Sequence, residues 1–222
     1  MIIGSGLIAS SLKKIDTPNQ LFFAAGVSNS LETKASEFER EFSLLKNSIE
    51  KNDDIPFIYF STLSINDQTK QNSPYVLHKQ NMEKHIQEHC SKHLILRIGN
   101  IVGRGGNPNT LINFLKAQIE NDKQIQVHRK AKRFLVDIDD IAIFLQSVPH
   151  LQNTIINFSY PQQYAISDIL NSVEGVLSKK AVYSVIEDGD FYDVPFDKEV
   201  LHYFSTQSPQ IYLQKILEKH IL

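Results

Sequence analysis

Short apolar runs alternate with amphipathic stretches along most of this chain. Runs of aromatic and branched residues predict buried strands at residues 1–3, 21–26, 56–60, 93–98 and 155–158, with one more starting at Phe134. Between them, apolar residues recur at helical spacing, as in Phe38, Phe42, Leu45 and Ile49, after a capping-box pattern that starts at Ser36. Strands that alternate with helices predict an α/β fold with a mainly parallel sheet covered on both faces.

The strongest candidate chemistry lies where one predicted strand ends and the next helix begins. Thr62 stands at the end of the strand, where parallel sheets place their active residues. Ser73 and Pro74 then predict a helix start, with serine as the cap and proline in the first position. Tyr75 and Lys79 are four residues apart in that helix, so they project from one face.

A phenol, an ammonium and a hydroxyl at these positions form a set suited to proton transfer. The charge of Lys79 favours the phenolate, which lowers the pKa of Tyr75 from its ordinary value of about 10. The phenol then exchanges a proton with a substrate oxygen nearer neutral pH, and Thr62 holds that oxygen. A tyrosine four residues before a lysine is common, so an exposed helix that carries both by coincidence is the alternative.

A glycine turn at residues 4–9 follows the first strand and opens a short helix, in the pattern G-x-G-x-x-A. Gly4 and Gly6 let the backbone approach a pyrophosphate, and the start of the helix supplies N–H donors. The alternative is a structural turn. In a full dinucleotide site an acidic residue about 20 positions later holds the ribose, but here no acid follows until Glu32, so the adenosine side is predicted to be missing.

The composition indicates a globular protein and excludes several other classes. The chain has 222 residues, enough for one substantial core, and its net charge of −2 argues against a nucleic acid or a membrane surface as partner. Its single cysteine, Cys90, excludes an internal disulfide and fits a reducing compartment. No apolar run is long enough to span a membrane, so we expect a cytoplasmic protein.

A basic cluster and a row of histidines each have two interpretations, one as a solvated surface and one as a binding site. Arg129, Lys130, Lys132 and Arg133 form a basic cluster that is either a solvated surface or a contact for an anion. His85, His89 and His93 recur every four residues along a helix flank, where two of them are able to bind a metal. Since no carboxylate or thiol converges on them, we expect a solvated face and no metal site.

Six segments in order resemble the extended short-chain dehydrogenase/reductase superfamily, and within it the NAD-dependent epimerase/dehydratase family that modifies nucleotide-activated sugars. The segments are the glycine turn at 4–9, the strand 23–26, the strand end 60–62, the Tyr75-x-x-x-Lys79 helix with Glu83, the segment 96–103 and the segment 133–140. The resemblance implies a Rossmann-like, doubly wound core over residues 1–160. It also implies a small mixed α/β substrate lobe over 161–222, to which 103–133 contributes.

The resemblance further implies hydride transfer at a sugar carbon with NAD or NADP, in polysaccharide biosynthesis. Thr62, Tyr75 and Lys79 take the catalytic positions, and Lys79 also holds the nicotinamide ribose. The implied cofactor contacts are Gly4, Gly6, Leu7, Ile8, Ala25 and Gly26. Asn100 and Arg133 are the implied substrate contacts, Arg133 for the phosphates. Family members pair through the tyrosine-bearing helix and the one before it, which implies a homodimer through parts of 36–51 and 74–92, with His85 and His89 nearby.

Several departures from the family pattern leave two hypotheses open. Ile3 replaces the first glycine, the second and third strand–helix units are missing, and the loop from Thr62 to Tyr75 is short. Leu63 and Ser64 follow Thr62 where dehydratases carry an acidic pair, which favours reduction or epimerisation over dehydration. The chain is therefore either a compact reductase or epimerase, or a non-catalytic module that binds a nucleotide sugar or a protein partner and has lost the cofactor.

Overall fold

The computed structural model describes residues 1–222, which form ten strands and eight α-helices. The strands are β1 Ile2–Ile3, β2 Leu21–Phe23, β3 Phe57–Thr62, β4 His93–Ile98, β5 Asn100–Val102, β6 Gln124–His128, β7 Lys132–Asp137, β8 Thr154–Phe158, β9 Gln163–Ala165 and β10 Val182–Ile186. The α-helices are α1 Leu7–Ser11, α2 Ala35–Glu50, α3 Pro74–His89, α4 Leu111–Glu120, α5 Ile138–Ser147, α6 Ile166–Leu177, α7 Lys198–Tyr203 and α8 Pro209–Ile221.

The chain divides into two compact units, the first made of Met1–Ile98 and Ile138–Phe158. Its five strands form one parallel sheet in the order β1-β2-β3-β4-β8. The usual dinucleotide-binding order is 3-2-1-4-5-6, in which the first strand lies inside the sheet. When the second and third strands of that order are absent, the first strand becomes an edge, and β1 is such an edge. The strand order thus agrees with the predicted loss of two strand–helix units.

Helices cover both faces of this sheet, as predicted. One face packs a core of aromatic and aliphatic strand residues against α2 and α3, namely Leu21, Phe23, Phe57, Tyr59 and Ile95 against Leu45, Ile49, Met82 and Ile86. Because side chains alternate across a strand, Phe22, Ile58 and Leu94 point to the opposite face. There, α1 packs against α5. The predicted α/β fold with a mainly parallel sheet is confirmed.

The second unit consists of Gly99–Asp137 and Ser159–Leu222. It contains a three-stranded sheet in the order β5-β7-β9 and a parallel pair of β6 with β10. The closing helix α8 packs on α6, and the hydroxyl of Tyr212 in α8 accepts a hydrogen bond from the backbone N–H of Asp137 at 2.8 Å. Lys219 and His220, also in α8, bind the Asp137 carboxylate, which fastens α8 to the end of β7.

Helix starts were predicted with mixed success. Ser73 caps α3 and accepts a hydrogen bond from the N–H of Val76, as predicted. The predicted cap at Ser36 is wrong, since α2 already begins at Ala35, which places this serine inside the helix. No helix of the structure combines the length and the apolar character needed to cross a membrane.

Candidate active site

The helix α3 places Tyr75 and Lys79 on one face, one turn apart. The ammonium of Lys79 lies 5.8 Å from the centre of the Tyr75 ring. Both residues are almost fully buried, with 9% of Tyr75 and 2% of Lys79 exposed. The predicted proximity of phenol and ammonium is therefore present, but the ammonium has other partners too.

The Lys79 ammonium is bound by two groups that come from other elements. It donates to Oε1 of Glu41 in α2 at 2.8 Å and to the hydroxyl of Tyr59 in β3 at 3.1 Å. It also lies close to Gly26 after β2, since a Cβ added to that glycine would come within 2.8 Å of the ammonium nitrogen. Lys79 thus lies beside Gly26 with two of its three N–H donors already used.

Glu41 is a fully buried carboxylate that accepts four hydrogen bonds. Lys79 and the Tyr59 hydroxyl donate to Oε1, while the backbone N–H of Val27 donates to Oε2 at 2.8 Å and Nε2 of His78 lies 3.0 Å from the same oxygen. Burial by itself raises the pKa of Glu41. The attraction of Lys79 and these hydrogen bonds outweigh burial and lower the pKa of Glu41 to about 2. Glu41 is therefore ionised at neutral pH.

Tyr59 is a second phenol in the site, but its environment suits it to a structural role. Burial, followed by the nearby charge of Glu41, holds the pKa of Tyr59 well above its ordinary value of 10. Its hydroxyl donates to Glu41 and accepts from Lys79. A phenol in these surroundings stays protonated and is unsuited to proton transfer.

No residue of the chain forms a hydrogen bond with the hydroxyl of Tyr75, and this hydroxyl is not a buried atom left without a partner, so it is accessible to solvent. The Tyr75 ring packs with Val27, Ile65 and Val76. Thr62 precedes the short turn that contains Ile65, and its own hydroxyl accepts a hydrogen bond from the N–H of Ser64 at 3.1 Å. Tyr75 therefore keeps an uncommitted hydroxyl, which a proton-transfer residue requires.

A second buried network joins β3, α3 and β4 below Thr62. Ser61 donates to Oε1 of Glu83 at 2.6 Å, and Arg97 binds the same carboxylate through two nitrogens. Bidentate pairs of this kind fix geometry as well as charge. The network thus holds the end of β3, where Thr62 lies, against the helix that carries Tyr75.

The glycine turn is tightly built at Gly4 and open at Gly6. Gly4 has a positive φ of 128°, and a Cβ there would lie 2.4 Å from the carbonyl oxygen of Ala24, so only glycine fits. No atom lies within 4 Å of a Cβ placed on Gly6, which leaves free space beside it. Leu7 and Ile8 are the first residues of α1, and Ala25 lies between Ala24 and Gly26.

The predicted substrate contacts lie in the second unit. The side-chain amide of Asn100 in β5 donates to the carbonyl of Phe134 at 3.1 Å. The guanidinium of Arg133 in β7 donates to the Asp190 carboxylate at 2.7 Å and to two carbonyls. In the same cluster, Arg129 pairs with Glu187. The basic cluster is thus largely matched by an acidic segment at 187–190.

Three residues of the site were not predicted from the sequence, namely Glu41, Tyr59 and His78. One signal for Glu41 was present, because it lies three residues after Phe38 and four before Leu45, on the apolar stripe of α2. A charged residue on a core stripe indicates a buried partner. The partner itself, Lys79, is 38 positions away, and no local pattern reveals it.

Comparison with known proteins gives one family and one fold. A sequence model described as the NAD dependent epimerase/dehydratase family matches residues 50–154, a little under half of the chain. The predicted resemblance to this family is confirmed. The matched range holds β3, α3 and β4, and so includes Thr62, Tyr75 and Lys79. No curated protein matches the chain.

Several solved structures share the fold of this chain, and some of them are enzymes that act on nucleotide sugars. UDP-N-acetylglucosamine 4-epimerase from Methanobrevibacter ruminantium, in complex with UDP-N-acetylmuramic acid, is 17% identical with a TM-score of 0.73, over 100% of this chain and 81% of that one. UDP-glucose 4-epimerase from Thermus thermophilus, in complex with NAD, is 15% identical with a TM-score of 0.70, over 90% and 77%. RMD from Pseudomonas aeruginosa, complexed with NADPH, is 15% identical with a TM-score of 0.71, over 97% and 85%. At such identities the likeness establishes the fold.

Proposed function

We propose that this chain is an NAD(P)-dependent oxidoreductase or epimerase that acts on a nucleotide-activated sugar. The observation that carries the proposal is the uncommitted hydroxyl of Tyr75, held one helical turn from a buried lysine that lies against Gly26. A tyrosine hydroxyl that no residue of the chain binds is available to a substrate oxygen. The match to the epimerase/dehydratase family and the fold shared with NAD-bound and NADPH-bound enzymes support the same function.

The residues present fit part of a dinucleotide. The open space beside Gly6 and the tight turn at Gly4 suit the approach of a pyrophosphate to the backbone. No acidic residue lies between β2 and Glu32, so the place where an acid usually holds the adenosine ribose lacks one. Gly4, Gly6, Leu7, Ile8, Ala25 and Gly26 are therefore proposed to hold the phosphate and nicotinamide side.

When bound, such a cofactor accepts a hydride from a sugar carbon and returns it. The residues of the chain supply the proton chemistry around that transfer. Tyr75 takes the proton from the sugar hydroxyl as the carbon is oxidised and gives it back on reduction, while the hydroxyl of Thr62 orients the same oxygen. The network of Ser61, Glu83 and Arg97 keeps Thr62 in place.

Asn100 and Arg133 are proposed to bind the nucleotide sugar, Arg133 through its phosphates. A guanidinium binds phosphate and carboxylate oxygens with the same bidentate geometry. Arg133 is already paired with Asp190, but only partly buried, with side-chain exposures of 24% and 29% for the two residues. A phosphate is therefore able to take the place of the Asp190 carboxylate without first moving the guanidinium into water.

Thermal unfolding with ligands tests the cofactor part of the proposal. A ligand at 100 times its Kd stabilises the folded protein by about 2.7 kcal/mol, which raises the Tm of a chain of this length by roughly 5–10 °C. We expect such a rise with NAD(H) or NADP(H) at millimolar concentration. A Tm that stays constant across that range contradicts the cofactor assignment.

Replacement of Tyr75 tests the mechanism. We expect Tyr75→Phe to lower kcat by about 10²–10⁴-fold, the usual worth of a positioned acid–base group. Stability should change by less than about 0.5 kcal/mol, because the lost hydroxyl makes no hydrogen bond in the chain. The matched control is Tyr183→Phe, at a half-exposed tyrosine of β10. Equal rates for both variants would remove Tyr75 from the mechanism.

The second candidate is a non-catalytic module that binds a nucleotide sugar or a protein partner. The observation in its favour is that Glu41 and Tyr59 already bind the ammonium of Lys79, of which only 2% is exposed. This candidate predicts a rise in Tm with a nucleotide sugar and none with NAD(H) or NADP(H). Exchange of label between a labelled reduced cofactor and the sugar contradicts it.

We also propose that two copies of the chain associate through α2 and α3. His85 of α3 stacks on His89 at 4.0 Å and meets the ring of Phe42 in α2 at 5.1 Å, while Leu77 of α3 is half-exposed. The partly buried Phe42 and the half-exposed Leu77 give the two helices apolar side chains at the surface. Sedimentation velocity should report a dimer that Leu77→Asp dissociates, and a monomer before substitution would contradict the assignment.

A further inference from the structure

We propose that the first unit carries a binding site for a small organic anion at the end of its sheet opposite to the candidate active site. The ligand has an apolar body and a hydroxyl group, which donates a hydrogen bond to Nε2 of His93, and its charge is attracted by the ammonium of Lys14. The site is independent of the function proposed above. Pro56 and Thr62, before and at the end of β3, are separated by about 20 Å of extended chain.

A cleft of about 440 Å³ lies where the chain enters three strands of the first sheet. Gln20, Pro56 and His93 line the cleft, and each of them stands at or just before the first residue of β2, β3 or β4. Pockets that hold small organic ligands have volumes of roughly 300–1,000 Å³. The cleft is therefore large enough for a molecule with an aromatic ring.

The lining of the cleft is largely apolar. Ile58 and Leu94 come from the sheet face opposite to α2 and α3, and they are 4% and 5% exposed. Ile15 of the 3₁₀ turn Leu12–Ile15 and Leu145 of α5 add two more buried apolar side chains. An apolar ligand body gains free energy when it leaves water for such a lining.

His93 supplies a hydrogen-bond acceptor among these apolar residues. Its Nδ1 lies 3.1 Å from the carbonyl oxygen of Cys90. A carbonyl only accepts, so Nδ1 carries the proton and Nε2 of the neutral ring is an acceptor. Only 7% of His93 is exposed, yet no residue of the chain binds Nε2, and this nitrogen is not a buried atom left without a partner. Nε2 is thus open to an O–H or N–H donor from outside the chain.

The charge at the rim of the cleft favours an anion. Lys14 lines the cleft, is exposed, and forms no ion pair with the chain. The carboxylate in the lining, Asp16, is paired with the amino group of Met1 at 2.7 Å. An unpaired ammonium next to a neutralised carboxylate attracts a negatively charged ligand.

Three small probes of nearly equal size separate the parts of the proposal. The first is 3-(4-hydroxyphenyl)propionate, which has the ring, the hydroxyl and the negative charge. In 3-(4-fluorophenyl)propionate fluorine replaces the hydroxyl, and in tyramine an ammonium replaces the carboxylate. Binding is followed by NMR through the methyl groups of Ile58 and Leu94, with the methyl groups of Ile169 and Leu213 in the second unit as controls.

The hydroxyl-bearing acid should shift the methyl signals of Ile58 and Leu94 with a Kd in the millimolar range, as expected for about 12 non-hydrogen atoms. The fluorinated acid should bind about 3–10-fold more weakly, because it offers His93 no donor. Tyramine should bind about 2–5-fold more weakly, because Lys14 repels its charge. The signals of the control methyl groups should stay unchanged.

Variants of the chain test the two contacts separately. His93→Asn keeps an amide N–H in place of the Nδ1 donor and removes the acceptor, so the hydroxyl-bearing and fluorinated acids should bind it equally. Lys14→Gln should remove the preference for the acid over tyramine. The matched control is Lys13→Gln, because Lys13 is exposed in the same turn but does not line the cleft.

Two results overturn the proposal without reference to any variant. One is the absence of shifts at Ile58 and Leu94 up to about 20 mM of the hydroxyl-bearing acid, well above the expected Kd. The other is equal or tighter binding of the fluorinated acid or of tyramine. Both comparisons use the unsubstituted chain, so they still decide the matter if His93→Asn does not fold. Neither result bears on the cofactor and Tyr75→Phe tests, which concern the other end of the sheet.

Discussion

Each of the two units contains a cation that sequence analysis assigned to a ligand, and in each the structure pairs that cation with a carboxylate. In the first unit Lys79 is bound to Glu41, and neither side chain is exposed by more than 2%. In the second unit Arg133 is bound to Asp190, with 24% and 29% exposed. The difference in burial places one pair in the core and leaves the other partly exposed, as the proposed exchange of Asp190 for a phosphate requires.

The largest expected effect is the loss of protein stability when the carboxylate of each pair is replaced by an amide. Glu41→Gln leaves a buried ammonium without a counter-charge and should destabilise the protein by about 3–5 kcal/mol. Asp190→Asn removes the partner of a partly exposed guanidinium and should cost no more than about 1 kcal/mol. Urea unfolding of both variants measures the difference.

Removal of both charges of the buried pair is the control for the loss of its counter-charge. Adding Lys79→Met to Glu41→Gln should recover most of the lost stability, since a neutral pair of similar volume needs no counter-charge. Equal costs for Glu41→Gln and Asp190→Asn would show that burial does not distinguish the pairs.

The next effect is the pH dependence of the buried pair. The pKa of Glu41 is about 2 in the folded chain against an ordinary 4.5. Because the folded pKa is lowered, the stabilisation is fully present above pH 4.5 and is lost as pH falls towards 2; it amounts to about 3 kcal/mol. Unfolding free energies between pH 7 and pH 3 should therefore fall less steeply for Glu41→Gln than for the unsubstituted chain. Parallel curves would contradict the lowered pKa.

The smallest expected effect concerns ligand binding at the exposed pair. If phosphate oxygens replace the Asp190 carboxylate on Arg133, Asp190→Asn should tighten the binding of a nucleotide sugar by about 3–10-fold, since the competing charge is gone. Isothermal titration calorimetry measures the change. The matched variant Arg133→Gln should weaken binding, and an unchanged Kd in both would remove Arg133 from the substrate site.

The fold was largely predictable because its signals are local. The apolar runs at 56–60 and 93–98 match β3 and β4, and Ser73 with Pro74 marks the start of α3. Helix starts without a side-chain cap were missed, as at Ala35, where the cap residue Lys34 makes no side-chain hydrogen bond. Local patterns predict elements well and predict their first residues less well.

The candidate site was predictable only in part, because its electrostatics depend on partners that are distant in sequence. The spacing of Tyr75 and Lys79 gave their common helix face correctly. The partners of the two cations lie 38 positions away for Lys79 and 57 for Arg133. A sequence pattern shows that a charge is present, whereas its effect on a neighbouring phenol depends on what the fold places against it.

The order of the first sheet also has a consequence for how the chain folds. Strands β1, β2 and β3 each pair with the next strand in the chain, whereas β4 pairs with β8, which follows only after a long intervening segment. Pairings between strands close in sequence incur a small loop-closure entropy and form early. We therefore expect the four-stranded part to assemble during synthesis, before the chain that contains β8 has left the ribosome, with β8 as the last strand to dock.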